Sequence, residues 1–216
     1  MMNVYFVSGL AADSRVFKNI RLPVHCVPVF LEWIAPLKSE SLRAYAIRLA
    51  AGIDVSKPFA IIGLSMGGMI AAEIARLHKP VAVILISSVP NSKQLPFYFK
   101  AAGVLRLNKL VPVVLVKSAA RFKRVFTTET AEDKEVLRSI IRESDNRFIN
   151  WAMGAILKWK SEELQVPYIH IHGTRDEVLP IRFTKPTHII DKAGHLMVMN
   201  RARDINAILE QVLGDF

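Results

Sequence analysis

Short apolar runs rich in Val and Ile alternate along the chain with stretches in which apolar positions recur every third or fourth residue. The first pattern predicts strands over 4–8, 24–31, 59–62, 81–87, 168–172 and 187–190. The second predicts helices over 42–51, 66–77 and 202–213. Several runs are apolar at nearly every position, as in Phe59-Ala60-Ile61-Ile62, which is how strands covered on both faces read. Alternation of this kind predicts an α/β architecture: a mostly parallel central sheet of about six strands with helices on both faces.

One connection is too long for a simple crossover. About eighty residues separate the strands at 81–87 and 168–172, where a crossover helix needs far fewer. Helical patterns fall at 113–126, 131–142 and 147–158 within that interval. The expectation is a single domain over 1–216, with a core from 1–90 and 160–216. A small helical insert occupies about 91–159, with Pro90 and Pro167 marking its approximate edges. No internal repeat or low-complexity segment interrupts this plan.

Composition excludes wholesale disorder: 51% of the 216 residues are hydrophobic and 22% are charged. The net charge of +10 raises nucleic acid, a membrane surface or an anionic substrate as partners. The charge is not spread evenly. No acidic residue lies in 74–128, which holds ten of the 29 basic residues, so the rest is balanced at nineteen of each sign. That span overlaps the insert. It reads as a solvated surface, as a patch for peripheral contact with anionic lipid, or as a feature recognising an anionic acyl substrate. Nucleic acid is not expected, because no reader motif or spaced stacking aromatics accompany the charge. Cys26 is the sole cysteine, which excludes an intrachain disulfide and a cysteine-based metal site and suits a reducing cytoplasm. The N-terminal residues lack a basic start and read as a first strand, not a secretory signal. No uncharged apolar stretch approaches the ~20 residues of a membrane span.

Candidate chemistry is densest where the strand at 59–62 runs into Gly63-Leu64-Ser65-Met66-Gly67-Gly68 and then a helix. This is G-x-S-x-G between a strand and a helix. A sharp strand-to-helix turn strains the serine backbone, and flanking glycines such as Gly63 and Gly67 avoid collisions there. The serine then projects above the sheet edge at a helix N-terminus, whose free N–H groups favour developing negative charge. A phosphate loop is the competing reading, but the Gly-Lys-Ser/Thr ending it needs is missing.

A serine hydroxyl needs a base to take its proton and a third group to orient that base. Asp176 falls in the loop just past the strand at 168–172, and His195 falls in the matching loop after the strand at 187–190. His25 and His78 lie away from these loops. His170 and His172 alternate along a strand and read as packed or locally bonded, and His188 sits at the wrong end of its strand. Among the acids, Asp176 is favoured over Glu177 by its place in the turn and over Asp191, which adjoins the base's own strand.

With these residues in place, the chain resembles the α/β-hydrolase fold family. The order Ser65, Asp176, His195 is that family's order of nucleophile, acid and base. Residues 173–180, Gly-Thr-Arg-Asp-Glu-Val-Leu-Pro, resemble the family's segment around the acid, and Ala193-Gly194-His195 its segment around the base. Phe6-Val7-Ser8-Gly9-Leu10 resembles the loop after the first central strand, with Ser8 where the family usually has histidine. The resemblance covers nearly the whole chain, although the family's early antiparallel strands are missing. It implies a compact serine hydrolase, esterase-like, with the insert as its cap. It implies an oxyanion held by the backbone N–H groups of Leu10 and Met66. No metal and no organic cofactor is expected. Thioester hydrolysis, C–C bond hydrolysis and lyase chemistry use the same three residues in this fold. A non-catalytic binding or membrane-surface relative is the alternative of another class. Such relatives usually lose a triad member, and all three positions are filled here.

Overall fold

Six strands form one sheet in the order β2-β1-β3-β4-β5-β6, with every pairing parallel. They are β1 (Met2–Val7), β2 (Cys26–Phe30), β3 (Phe59–Leu64), β4 (Ala82–Ile86), β5 (Ile169–Gly173) and β6 (His188–Ile190). The computed structural model describes residues 1–104 and 130–216. Side chains of the central strands alternate between two cores. Tyr5, Val7, Ile61, Val83 and Leu85 face one layer, and Val4, Phe6, Ala60, Ile62, Ile84 and Ile86 face the other. Apolar residues at consecutive positions are therefore shared between two helical layers.

The first layer holds α1 (Leu42–Leu49) and α2 (Met66–His78), joined by residues of α5 (Asn146–Lys158). The second holds α6 (Met197–Asn200) and α7 (Ala202–Leu213), with Leu137 and Ile140 of α4 (Ala131–Glu143). Three helices, α1, α4 and α5, start at a polar cap that accepts an otherwise free N–H. Ser41 Oγ accepts from Ala44, Thr130 Oγ1 from Asp133, and Asp145 from Arg147 and Phe148. α2 has no such side-chain cap. Its first residue follows Ser65, which is left for other work.

Strand order fixes where a site can form. Consecutive strands run outward in opposite directions from the centre, and the chain reverses between β1 and β3. In open parallel sheets, ligands bind at the carboxyl ends of the strands beside such a reversal. Val7 pairs with Gly63 and Leu64 with Ile86, so the loops after β1, β3 and β4 emerge side by side. A Cβ on Gly67 would collide with the carbonyl oxygens of Val7 and Ser8, and one on Gly63 with the Gly67 carbonyl. The start of α2 thus touches the end of β1 without a side chain between them. Gly67→Ala is expected to destabilise the fold by about 3 kcal/mol, read as a lower urea midpoint; an unchanged midpoint would contradict this close approach.

Between β4 and β5 lie α3 (Phe97–Val104), α4 and α5. Two chain segments leading into and out of this stretch are tied together beneath it. Arg76 donates to the carbonyls of Pro90 (2.9 Å) and Glu162 (2.6 Å), Ser92 and Ser161 bond each other, and the Trp159 indole donates to buried Glu73 at 2.9 Å. The helix expected at 113–126 lies outside the described residues. So do six of the ten basic residues of the acid-free span, from Arg106 to Arg124. Among the described residues no helix is long and apolar enough to cross a membrane.

Strand limits differ most from expectation at β1, which runs over Met2–Val7 in place of 4–8, and at β2, which runs over Cys26–Phe30 in place of 24–31. It is an edge strand carrying Pro28, which has no N–H for the ladder, and Val24 is 99% exposed. Among the described residues every strand pairing is parallel.

Candidate active site

Ser65 sits between β3 and α2 with φ 53° and ψ −119°, a region that side-chain-bearing residues seldom occupy. Backbone bonds enforce it. Ser65 N–H donates to Ile86 O at 2.9 Å, and the Ser88 hydroxyl donates to Ser65 O at 2.6 Å. The strain is held at the point where the turn must lift the hydroxyl clear of the sheet.

His195 and Asp176 arrive on the loops after β6 and β5. Ser65 Oγ lies 2.9 Å from His195 Nε2, and His195 Nδ1 donates to Asp176 Oδ2 at 2.8 Å. The other carboxylate oxygen accepts the N–H groups of Val178 and Leu179, both at 2.9 Å. Asp176 and His195 are buried and Ser65 is half-buried. Burial acts to raise the Asp176 carboxyl, but the charge and hydrogen bond of His195 and the Leu179 N–H outweigh it and hold it below the usual carboxylate range. With Nδ1 donating to the carboxylate, the neutral ring offers Nε2 as a lone pair facing the serine.

The other candidates fall elsewhere. Glu177 is exposed. Asp191 is exposed and accepts from the Thr174 hydroxyl at 3.0 Å. His25 bonds the Leu213 carbonyl, and His188 bonds Thr187.

Leu10 follows β1 in a loop that presses on the serine: a Cβ on Gly9 would stand 3.4 Å from Ser65 Cβ. Met66 opens α2 on the other side. Ser8 takes the place of the histidine expected from the family, and its hydroxyl donates to Ala12 O at 2.9 Å across the loop. The same carbonyl accepts the Trp33 indole N–H at 2.8 Å. Ala11 between them has φ 56°. The loop is therefore pinned by two donors on one oxygen. Trp33 carries no sequence signal for this role; it lies past β2, and only the fold brings it back to β1. Its ring meets Phe148 of α5 at 4.9 Å. These two aromatics line a cavity of about 480 Å³ that also touches Ala11, Ala12, Arg15 and Arg147.

Sequence reasoning also set aside His172. It is buried on β5, with Nε2 2.7 Å from Leu179 O and 3.3 Å from Asp176 Oδ2. A signal was available. His170 and His172 share one face of a buried strand, and buried imidazoles require partners. Among the described residues no group of three or more His, Cys, Asp or Glu side chains could hold a metal ion.

A family model described as the alpha/beta hydrolase family matches residues 4–208. No curated protein sequence matches the chain. Among solved structures, an enol-lactonase from Burkholderia xenovorans LB400 superposes with a TM-score of 0.76 at 17% identity, over 99% of this chain and 91% of that one. MenH from S. aureus gives 0.73 at 17% identity, over 99% and 94%. A malate-bound thermophilic esterase from Thermogutta terrifontis gives 0.72 at 17% identity, over 100% and 90%. At this identity the likeness is one of fold.

Proposed function

Because the chain belongs to the alpha/beta hydrolase family, we propose that it is a serine hydrolase cleaving an acyl ester of a small or medium substrate. Ser65 is the nucleophile, His195 the base and Asp176 the group that orients it. The unbroken hydrogen-bonded line from Ser65 through His195 to Asp176, at 2.9 and 2.8 Å, carries this reading. An esterase and an enol-lactonase are among the solved structures of like fold, and both names describe acyl–oxygen cleavage.

In the first half-reaction His195 Nε2 takes the Ser65 proton as Oγ attacks the acyl carbon. Charge moves onto the carbonyl oxygen, and the backbone N–H groups of Leu10 and Met66 receive it. Each such donor is typically worth roughly 3 kcal/mol in the transition state. Asp176 stabilises the imidazolium formed meanwhile. His195 then protonates the leaving alcohol, and water repeats the sequence to release the acid. Residues 91–159 serve as the cap, and α3 brings Tyr98 close to the acid loop. Burial raises the Tyr98 phenol; Arg182 draws it back and the Asp176 charge adds to the rise.

A fluorophosphonate probe tests the assignment. It is expected to label wild-type protein on the peptide containing Ser65, with parallel turnover of p-nitrophenyl esters in a panel of graded acyl length. Folded protein that takes no label and hydrolyses none of the panel would overturn it.

A further inference from the structure

Behind Asp176 stands a second pair of imidazoles that the acyl-transfer steps do not use. His170 and His172 are both fully buried on β5, with His170 Nε2 3.0 Å from His172 Nδ1. With His195, this makes three imidazoles in one connected line around a single carboxylate. We infer that His172 is a positioning residue for the proposed triad: its Nε2–H holds the carbonyl of Leu179, whose N–H in turn grips Asp176 Oδ1, and its ring edge stands 3.3 Å from Oδ2, with His170 locking the ring.

The proton positions follow from the partners. Leu179 O can only accept, so His172 Nε2 carries a hydrogen and donates it to that carbonyl at 2.7 Å, with Asp176 Oδ2 3.3 Å away. Burial pushes His172 down, against the pull of Asp176 and Leu179, which favours the neutral ring with Nδ1 as its lone pair. His170 Nε2 must then donate to it. That leaves His170 Nδ1 without a hydrogen, and this buried atom has no hydrogen-bond partner among the described residues. The carbonyls of Ser88 and Lys185 favour the charged His170 ring, but burial and then His172 outweigh them and push it down to about 3. Burial thus disfavours the charged form of both rings.

Neutrality matters to the site. A cationic donor at this place would oppose the imidazolium that forms on His195. A neutral ring holds the acid loop in place and adds no such charge. Asp176 is held by three donors, two backbone N–H groups on Oδ1 and His195 on Oδ2, with the His172 ring edge 3.3 Å from Oδ2. From α3, Tyr98 also lies in electrostatic reach of Asp176, and Arg182 acts on that phenol in turn.

The inference rests on the proposed serine-hydrolase reading, and the experiments separate the two. With the p-nitrophenyl ester that wild type turns over best, His172→Leu is expected to lower kcat about 30-fold, the effect of releasing the carbonyl that fixes the acid loop and removing the polar edge beside the carboxylate. KM should change less than about twofold. The acid limb of the kcat/KM profile should move to higher pH, because the carboxylate concentrates its charge on the one imidazole left to it. His172→Gln, whose amide nitrogen can reach the Nε2 position, should restore most of the turnover and the wild-type limb. A Leu variant matching wild type in kcat and acid limb would overturn the inference while leaving the hydrolase reading intact. So would a loss that Gln does not restore, or one that leaves the limb in place, since either marks simple packing. Absent fluorophosphonate labelling of wild type would instead sink the hydrolase reading. Imidazole ¹⁵N NMR of the wild type needs neither turnover nor a variant. It should find His170 and His172 neutral and protonated on Nε2 from pH 5 to 8, and titration of either ring in that window rejects the arrangement.

Discussion

Replacing Ser65 with alanine is expected to cut ester turnover by about 10⁶-fold and abolish fluorophosphonate labelling, with the urea midpoint nearly unchanged. The size follows from losing the covalent route altogether. Water attacking directly would still meet the N–H groups proposed for the oxyanion, and that residual help is what remains when a nucleophile of this type is removed. The fold has little reason to respond. The strained backbone at φ 53° is held by Ile86 O and the Ser88 hydroxyl, and neither bond uses the Ser65 side chain. The hydroxyl sits half-buried against His195 and takes no part in either core. Hydrolysis within tenfold of wild type in a folded Ser65→Ala protein would remove Ser65 as nucleophile.

Much of this architecture can be read along the chain, for physical reasons that differ by region. The sheet is legible because β3 and β4 are buried on both faces, so burial leaves no polar position within them. The serine turn is legible because its backbone demands glycine at positions where any Cβ meets main chain. Asp176 and His195 can be found because parallel strands send their following loops to one edge. The edge strand is harder: Pro28 and an exposed Val24 sit in an apolar run that looks like any other strand. Contacts made by tertiary return are hidden. Trp33 reaches Ala12 only because β2 lies beside β1, and His172 meets Asp176 only because the turn after β5 folds back over its own strand. The basic span is a different case. Its charge is plain in the sequence, while most of its basic side chains fall outside the described residues.

Asp176→Asn is expected to lower kcat about 10⁴-fold, and the surroundings of the carboxylate dictate how. Two backbone donors, Val178 and Leu179, hold Oδ1, so the amide oxygen of asparagine takes that place and its NH₂ takes the place of Oδ2. Flipping the amide would set NH₂ against both N–H groups and lose two hydrogen bonds. The NH₂ then faces His195 Nδ1, which must present a lone pair and move its proton to Nε2, toward Ser65. That is the wrong tautomer for a base: a ring with a hydrogen on Nε2 cannot accept the serine proton. His172 fares better, since its Nε2 hydrogen keeps the Leu179 carbonyl. The loss should therefore lie in kcat and leave the fold in place. Stability should respond to acid instead. Asp176 is held below its ordinary range in the folded protein, so its carboxylate stabilises the fold above the unfolded-state value, and this is lost as pH falls through the folded-state value. The asparagine variant lacks that term, and its melting temperature should drop less between pH 7 and acid pH than that of wild type. A kcat within tenfold of wild type, or an identical acid sensitivity of the melting temperature, would remove Asp176 from the role assigned to it and direct the search to another carboxylate.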